Sequence, residues 1–305
     1  MRVIRVCLNT GLCCLVLAFA GCSSFARKGN ERSALEAGRN VQWPQGKRAA
    51  ISLTFDDARQ SQVERGLPIL DEYGVKATFY VSIKSLEQRL GAWKAAAANG
   101  HEIGNHTLTH PCSGNFPFSR ERALENYTLD KMRAELQQAS DSIERLLGVR
   151  PVSFAYPCGQ KFVGRGRNLK SYVPLVAEEF LTGRGWMDEW ANDPAFCDMA
   201  QLMAMELDGK DFEQVKQIID RTLANGGWLI FCSHDVGDGG RQTTLAATLR
   251  ALCEYAQDPA NGIWLDGVEA VAKHILKQPS TAAEVAPSGI RNRSSVWAGR
   301  LASSE

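Results

Sequence analysis

The sequence predicts an α/β fold in a single domain, built on a parallel sheet or barrel. Three observations carry this. Short apolar strand patterns alternate with helical patterns from Ala50 to Ile275. The run Trp228 to Cys232 is apolar throughout, as a strand buried on both faces of a parallel sheet should be. Polar residues with chemical potential follow several of the strands: Asp56 and Asp57, His106 and His110, Cys158, and His234. In a parallel barrel those strand ends share one face, where residues far apart in sequence converge.

Each element has its own signal. Ala50 to Phe55 is an apolar strand ending in two acids. Val63 to Tyr73 has helical spacing and stops at Gly74. Ala77 to Val81 is aromatic and β-branched, a strand pattern. Trp93 to Asn99 is an Ala-rich helix, and Glu102 to Gly104 a brief strand. A long helix is expected from Ser119, as N-cap, to Leu147, with Gly148 as the stop. Val152 to Tyr156 and Glu179 to Thr182 read as strands. Phe212 to Leu223 is amphipathic, with Phe212, Val215, Ile218, Ile219, Thr222 and Leu223 on one stripe. After the Trp228 strand come a helix from Leu245 to Tyr255, the strand Ile263 to Leu265, and a final segment, Val268 to Ile275.

Of 305 residues, 44% are hydrophobic and 23% charged, enough for a substantial core. The net charge of +1 gives no reason to expect a nucleic-acid partner, and nothing implies a protein partner. Arg2 and Arg5 precede an apolar run, Gly11 to Ala20, too short for a comfortable membrane span. This has the shape of a secretory signal over residues 1–21. Ala20-Gly21-Cys22 resembles a bacterial lipoprotein box, which implies cleavage before Cys22 and a lipid anchor on it, although Phe19 departs from the usual leucine. The expected location is the bacterial cell envelope, on the periplasmic side or the cell surface. Residues 22–41 read as a flexible tether, 42–278 as the folded domain, and 279–305 as a disordered tail. Of nine cysteines, Cys112, Cys158, Cys197, Cys232 and Cys253 belong to the domain, and none has the Cys-x-x-Cys spacing of a zinc site.

Four segments could carry chemistry. In Thr54-Phe55-Asp56-Asp57 the adjacent acids point in different directions, so one can hold a cation while the other faces a water; alone, the pair would be an ordinary turn. His106 and His110 are four apart, which on one helical turn sets their Cβ atoms about 5–6 Å apart. Two imidazoles and a carboxylate suit zinc or another divalent transition metal. His101 precedes its strand and is expected at the strand entry rather than among the ligands. Phe154-Ala155-Tyr156-Pro157-Cys158-Gly159 could bring a backbone N–H close to a substrate as an oxyanion donor. His234, at the end of the Trp228 strand, could donate a proton to a leaving group.

Together these segments resemble the polysaccharide deacetylases, the NodB-homology family also called carbohydrate esterase family four. The resemblance covers roughly residues 48–277 and rests on the Asp56-Asp57 segment, Gly100-His-Glu-Ile-Gly-Asn-His106-Thr with His110, the Phe-Ala-Tyr-Pro-x-Gly segment, and the strand ending in His234. It implies a distorted (β/α) barrel of about seven parallel strands. It also implies hydrolysis of acetyl groups on a carbohydrate polymer or oligosaccharide: N-acetyl sugars of peptidoglycan or a chitin-like polymer, or O-acetyl groups as on xylan. By this resemblance Asp57, His106 and His110 hold one divalent ion, most often zinc. Asp56 is the general base, His234 the general acid, and the Cys158 N–H an oxyanion donor, with Tyr156 in the same substrate segment. The family's usual base-orienting arginine is Ala155 here; Arg184 either supplies that charge or is a surface loop arginine. Cys158 replaces an aromatic, and a Cys112–Cys158 disulfide is expected if the two loops meet. Trp186, Asp188 and Trp190 form either a sugar-stacking wall with an acid near His234 or part of the core. Rival readings are a metal-dependent amidase acting on a small cyclic amide, and a decayed sugar-binding relative.

Overall fold

The computed structural model describes residues 41–278 of the chain. The expectations for the leader, Cys22, the tether up to residue 40 and the tail from 279 lie outside the described residues. Eight parallel strands form the main sheet: β1 (Ala49–Asp56), β2 (Thr78–Val81), β3 (Glu102–Asn105), β4 (Ser153–Ala155), β5 (Thr182–Arg184), β6 (Met205–Glu206), β7 (Trp228–Ser233) and β8 (Ile263–Leu265). Seven of them run in the order β5-β4-β3-β2-β1-β7-β6, and β8 pairs with the first half of β1. The sheet curls until its two ends meet at one parallel bridge, Arg184 to Leu202, where Gly185 N–H donates to Leu202 O at 2.7 Å. This is the expected distorted barrel of about seven strands.

β1 and β7 pair over six residues and are buried along their whole length. Each is covered on both faces, which explains the apolar run of β7, and the two hydroxyl side chains of β1 are hydrogen-bonded: Ser52 accepts from Trp228 Nε1–H and Thr54 donates to Phe231 O. The main core gathers Ile51, Leu53, Phe55, Phe79, Leu229 and Phe231 from the strands. Helices α1 (Leu67–Glu72), α2 (Ile83–Gln88), α3 (Leu90–Ala98), α4 (Leu129–Leu147), α5 (Val173–Glu179), α6 (Phe212–Asn225), α7 (Ala246–Gln257) and α8 (Val268–Lys277) occupy the crossovers and the C-terminal end. Among the described residues no helix is long and apolar enough to cross a membrane.

Three expected elements differ. The helix expected from Val63 begins as a π-turn, Gln62–Gly66, and becomes α-helical at Leu67. Pro68 lacks an N–H at that junction, so the ladder cannot run through it unbroken. The long helix starts at Leu129, not Ser119: Thr128 is its N-cap, accepting from Lys131 N–H, and residues 117–126 form 3-10 turns. Ala123 is extended there, and the Ser119 hydroxyl is bonded to Cys112. The strand expected at 179–182 lies at Thr182–Arg184, because Glu179 still belongs to α5.

Candidate active site

The C-terminal ends of β1, β3, β4, β5 and β7 deliver the polar cluster. Asp57 follows β1 in a left-handed conformation (φ 76°), its N–H donating to Tyr80 O at 2.9 Å. That reversal turns its side chain away from that of Asp56. Asp57 Oδ1 lies 3.7 Å from His106 Nε2 and 3.6 Å from His110 Nε2. Oδ2 is 3.9 Å from His234 Nε2 and is held by Arg59 at 3.1 Å.

The histidine pair does not use a helical turn. Residues 106–110 form a bent loop with positive φ at Thr107 and His110. It is pinned in three places. Asn105 Oδ1 accepts from Thr107 N–H at 2.7 Å. Thr107 Oγ1 accepts from His110 N–H at 3.0 Å. The buried Glu135 of α4 accepts from the N–H groups of Leu108 and Thr109 and from the hydroxyls of Thr109 and Tyr127. The two imidazoles meet edge to face with centroids 4.8 Å apart.

The tautomers follow from the partners. His106 Nδ1 faces Ala155 O at 2.9 Å; a carbonyl only accepts, so Nδ1 carries the proton and the Nε2 lone pair faces Asp57. Burial, and then the neighbouring His106, push His110 down to about 4, so its imidazole is neutral near pH 7. Burial pushes Asp57 upward, but His106, His110, His234 and Arg59 outweigh it and hold the carboxyl down at about 2. Both residues therefore present the deprotonated form that binds metal.

This donor set fits a divalent cation. One ligand atom from each of Asp57, His106 and His110 lies within 4.8 Å of the others. The N···O separations of 3.6 and 3.7 Å are too long for hydrogen bonds. They are close to the separation of about 3.3 Å between ligands sharing a tetrahedral zinc with bonds of roughly 2.0–2.1 Å.

Around this triad sit the other expected residues. Asp56 is buried and paired with the guanidinium of Arg184, itself fully buried. Arg184 also donates to Gly185 O at 2.7 Å and lies over the Tyr80 ring at 4.8 Å. Burial works against its charge, but Asp56 more than compensates, raising it above the usual arginine value. Arg184 is thus no surface loop residue. Cys112 and Cys158 are disulfide-bonded, tying the His110 loop to the turn after β4. Trp186 packs against His234 with centroids 4.5 Å apart.

Other expectations are corrected. Tyr156 does not reach the site: its ring lies in the core against Phe154 and Tyr172, its hydroxyl donates to Ala200 O, and its N–H donates to Arg184 O. Strand alternation turns Tyr156 opposite to Ala155. Asp188 accepts from Ala204 N–H, and Trp190 is half-exposed near Arg221; neither pairs with His234. The acid beside His234 is Asp208, whose Oδ2 lies 3.2 Å from Nδ1 and whose Oδ1 accepts from Thr244. His101 accepts from Ala77 N–H and donates to Asp71, a role at the strand entry as expected. The sequence pattern does not single out Asp208, Arg59 or Glu135. Of the three only Asp208 has any signal, an acid between Leu207 and Gly209 where a chain turns.

Fold and site together define a curled parallel barrel with a two-histidine, one-carboxylate cluster at its strand ends. The family model described as polysaccharide deacetylase matches residues 44–170. The chain is 30% identical over 114 residues to a peptidoglycan-N-acetylglucosamine deacetylase of Bacillus cereus, a match covering 37% of this chain and 38% of that protein. It is 33% identical over 143 residues to a gellan lyase of a Bacillus species, covering 47% of this chain and 5% of that one. The matches thus span well under half of these curated relatives' own lengths. A crystal structure of a putative polysaccharide deacetylase from Mycobacterium smegmatis shares the fold, with a TM-score of 0.56 at 21% identity over 79% of this chain and 96% of that one. Over residues 44–170 the chain is thus similar to the polysaccharide deacetylase family, and it shares the fold of a solved structure of that description.

Proposed function

We propose that this chain is a divalent-metal-dependent carbohydrate deacetylase, hydrolysing N- or O-linked acetyl groups on a polysaccharide or oligosaccharide such as peptidoglycan, a chitin-like polymer or xylan. The observation that carries this reading is the convergence of Asp57, His106 and His110 beside the buried Asp56–Arg184 pair and the Asp208-oriented His234.

Asp57, His106 and His110 would hold the ion, with zinc the favoured metal for this donor set. When bound, the ion supplies Lewis acidity toward the acetyl carbonyl and the attacking water. Asp56, oriented by Arg184, accepts the water proton as general base. The backbone N–H of Cys158 is assigned to the oxyanion that develops on the acetyl oxygen. His234 delivers a proton from Nε2 to the leaving sugar nitrogen or oxygen, while Asp208 keeps the other proton on Nδ1. Acetate and the free amine or hydroxyl are the products. Trp186, packed on His234, walls the substrate side. The proposal extends to a lipid anchor on Cys22 and a place in the bacterial cell envelope, which metabolic labelling with a fatty acid, with and without Cys22→Ala, would test.

The test of the activity is acetate release from a panel of acetylated glycans, with and without a chelator. Release that is abolished by chelation, restored by zinc and lost in Asp56→Asn is expected. Release untouched by both chelator and Asp56→Asn would overturn the reading.

A further inference from the structure

Beside His110 the surface carries two phenylalanines that the core does not use. Phe116 is 40% and Phe118 54% exposed. Their centroids are 5.4 Å apart, and the Phe118 ring is 6.3 Å from that of His110. They stand on the 3-10 segment that follows the histidine loop, where the sequence pattern suggested a helix.

The segment is rigidly fastened. Ser119 Oγ both accepts from Cys112 N–H and donates to Cys112 O, each at 2.8 Å. Ser113 N–H donates to Gln160 at 2.7 Å, and Glu125 accepts from Ser113 Oγ and Gly114 N–H. Arg122 Nε reaches His110 O at 3.5 Å, and the disulfide fastens Cys112 below. Exposed apolar rings held this firmly gain nothing for folding. A preorganised aromatic surface at the rim of a site is a recognition feature.

The position selects the occupant. The acetyl group is small and belongs at the ion. The Phe118 ring directly flanks that of His110, with centroids 6.3 Å apart, and lies outside the ligand cluster, so it faces a part of the substrate other than the acetyl group. A pyranose presents a flat C–H face to an aromatic and hydroxyls at its edge, and Asn115 and Arg120 offer exposed polar groups beside the rings. We propose that Phe118, supported by Phe116, is the stacking platform for the sugar ring next to the acetylated one, so that the substrate is a glycan chain rather than an isolated sugar or a small amide. This inference rests on the deacetylase reading.

The test compares wild type, Phe118→Ala and Phe118→Trp in two measurements. The first is calorimetric affinity for chitotetraose and xylotetraose in the zinc-loaded protein. The second is kcat and KM on an acetylated tetrasaccharide and on a small aryl acetate. An aromatic stacking contact is worth about 0.5–1.5 kcal/mol, up to roughly tenfold. Phe118→Ala should weaken tetrasaccharide affinity about tenfold and raise KM on the tetrasaccharide about tenfold more than on the aryl acetate, with Phe118→Trp restoring both. Equal penalties on the two substrates, no penalty at all, or a wild type that binds neither glycan would overturn the inference. A wild type that binds glycan yet releases no acetate would instead sink the deacetylase reading, and the affinity difference would still decide the platform.

Discussion

Removing the Cys112–Cys158 bridge perturbs stability and site together, and its cost can be worked from the fold. The disulfide closes a loop with a sequence separation of 46, containing all of α4 and β4. Loop-closure entropy for that length corresponds to about 4 kcal/mol at 25 °C. For a domain of this size each kcal/mol moves the melting temperature by about 2–4 °C, so the Cys112→Ser/Cys158→Ser protein should melt about 8–16 °C lower. The bridge also fastens the His110 loop to the turn bearing the assigned oxyanion donor, so zinc affinity should fall about tenfold. Scanning calorimetry of the metal-free protein isolates the first effect, and competition with a chromophoric chelator the second. A melting shift below about 3 °C with unchanged zinc affinity would show that neither the chain constraint nor the loop tether matters.

Other perturbations have distinct signatures. Arg184→Met leaves Asp56 buried without its cation and should cost about 3–5 kcal/mol in urea unfolding; a cost below about 1 kcal/mol would argue against a structural pair. Glu135→Gln keeps the shape but exchanges an acceptor for a donor among four inbound hydrogen bonds, and should weaken zinc about 10–100-fold by loosening the His110 loop; wild-type zinc affinity would contradict it. His110 sits near 4 in the folded chain against 6.5 unfolded, so the unfolded state takes up the proton first as pH falls. Stability of the metal-free protein should therefore decline from about pH 6.5 to 4. Asp57, at about 2 against 3.8, extends the loss below pH 4 by the same sign. Urea midpoints across that range should be flatter in His110→Asn, and identical slopes would show that His110 does not carry the pH dependence.

The sequence was most legible where one strong force acts locally. Burial on both faces wrote β7 as an apolar run from Trp228 to Cys232, whereas the divergence of Asp56 and Asp57, expected from strand alternation, comes from the left-handed turn at Asp57 just past the strand. The His106–His110 spacing led to the right pair through the wrong geometry: a loop pinned by Glu135 brings the rings together, and that carboxylate lies in a helix 25 residues beyond His110. Long-range partners left no local trace. Arg184 could be offered only as one of two readings, because its pairing with Asp56 spans 128 residues. Asp208 follows a two-residue strand too short to show as a pattern. Tyr156 lies in the core because alternation turns it opposite to Ala155, and Ser119 caps no helix because its hydroxyl is bonded to Cys112, a contact that depends on tertiary folding.

Zinc stoichiometry and affinity, measured by metal analysis and competition titration on wild type, Asp57→Ala, His106→Ala and His110→Ala, bear most directly on the metal centre. One zinc per wild-type chain is expected, with binding weaker by roughly a hundredfold or more in each variant while the fold is retained. A wild type that takes up no divalent ion, or folded variants that bind zinc as tightly as wild type, would contradict that expectation.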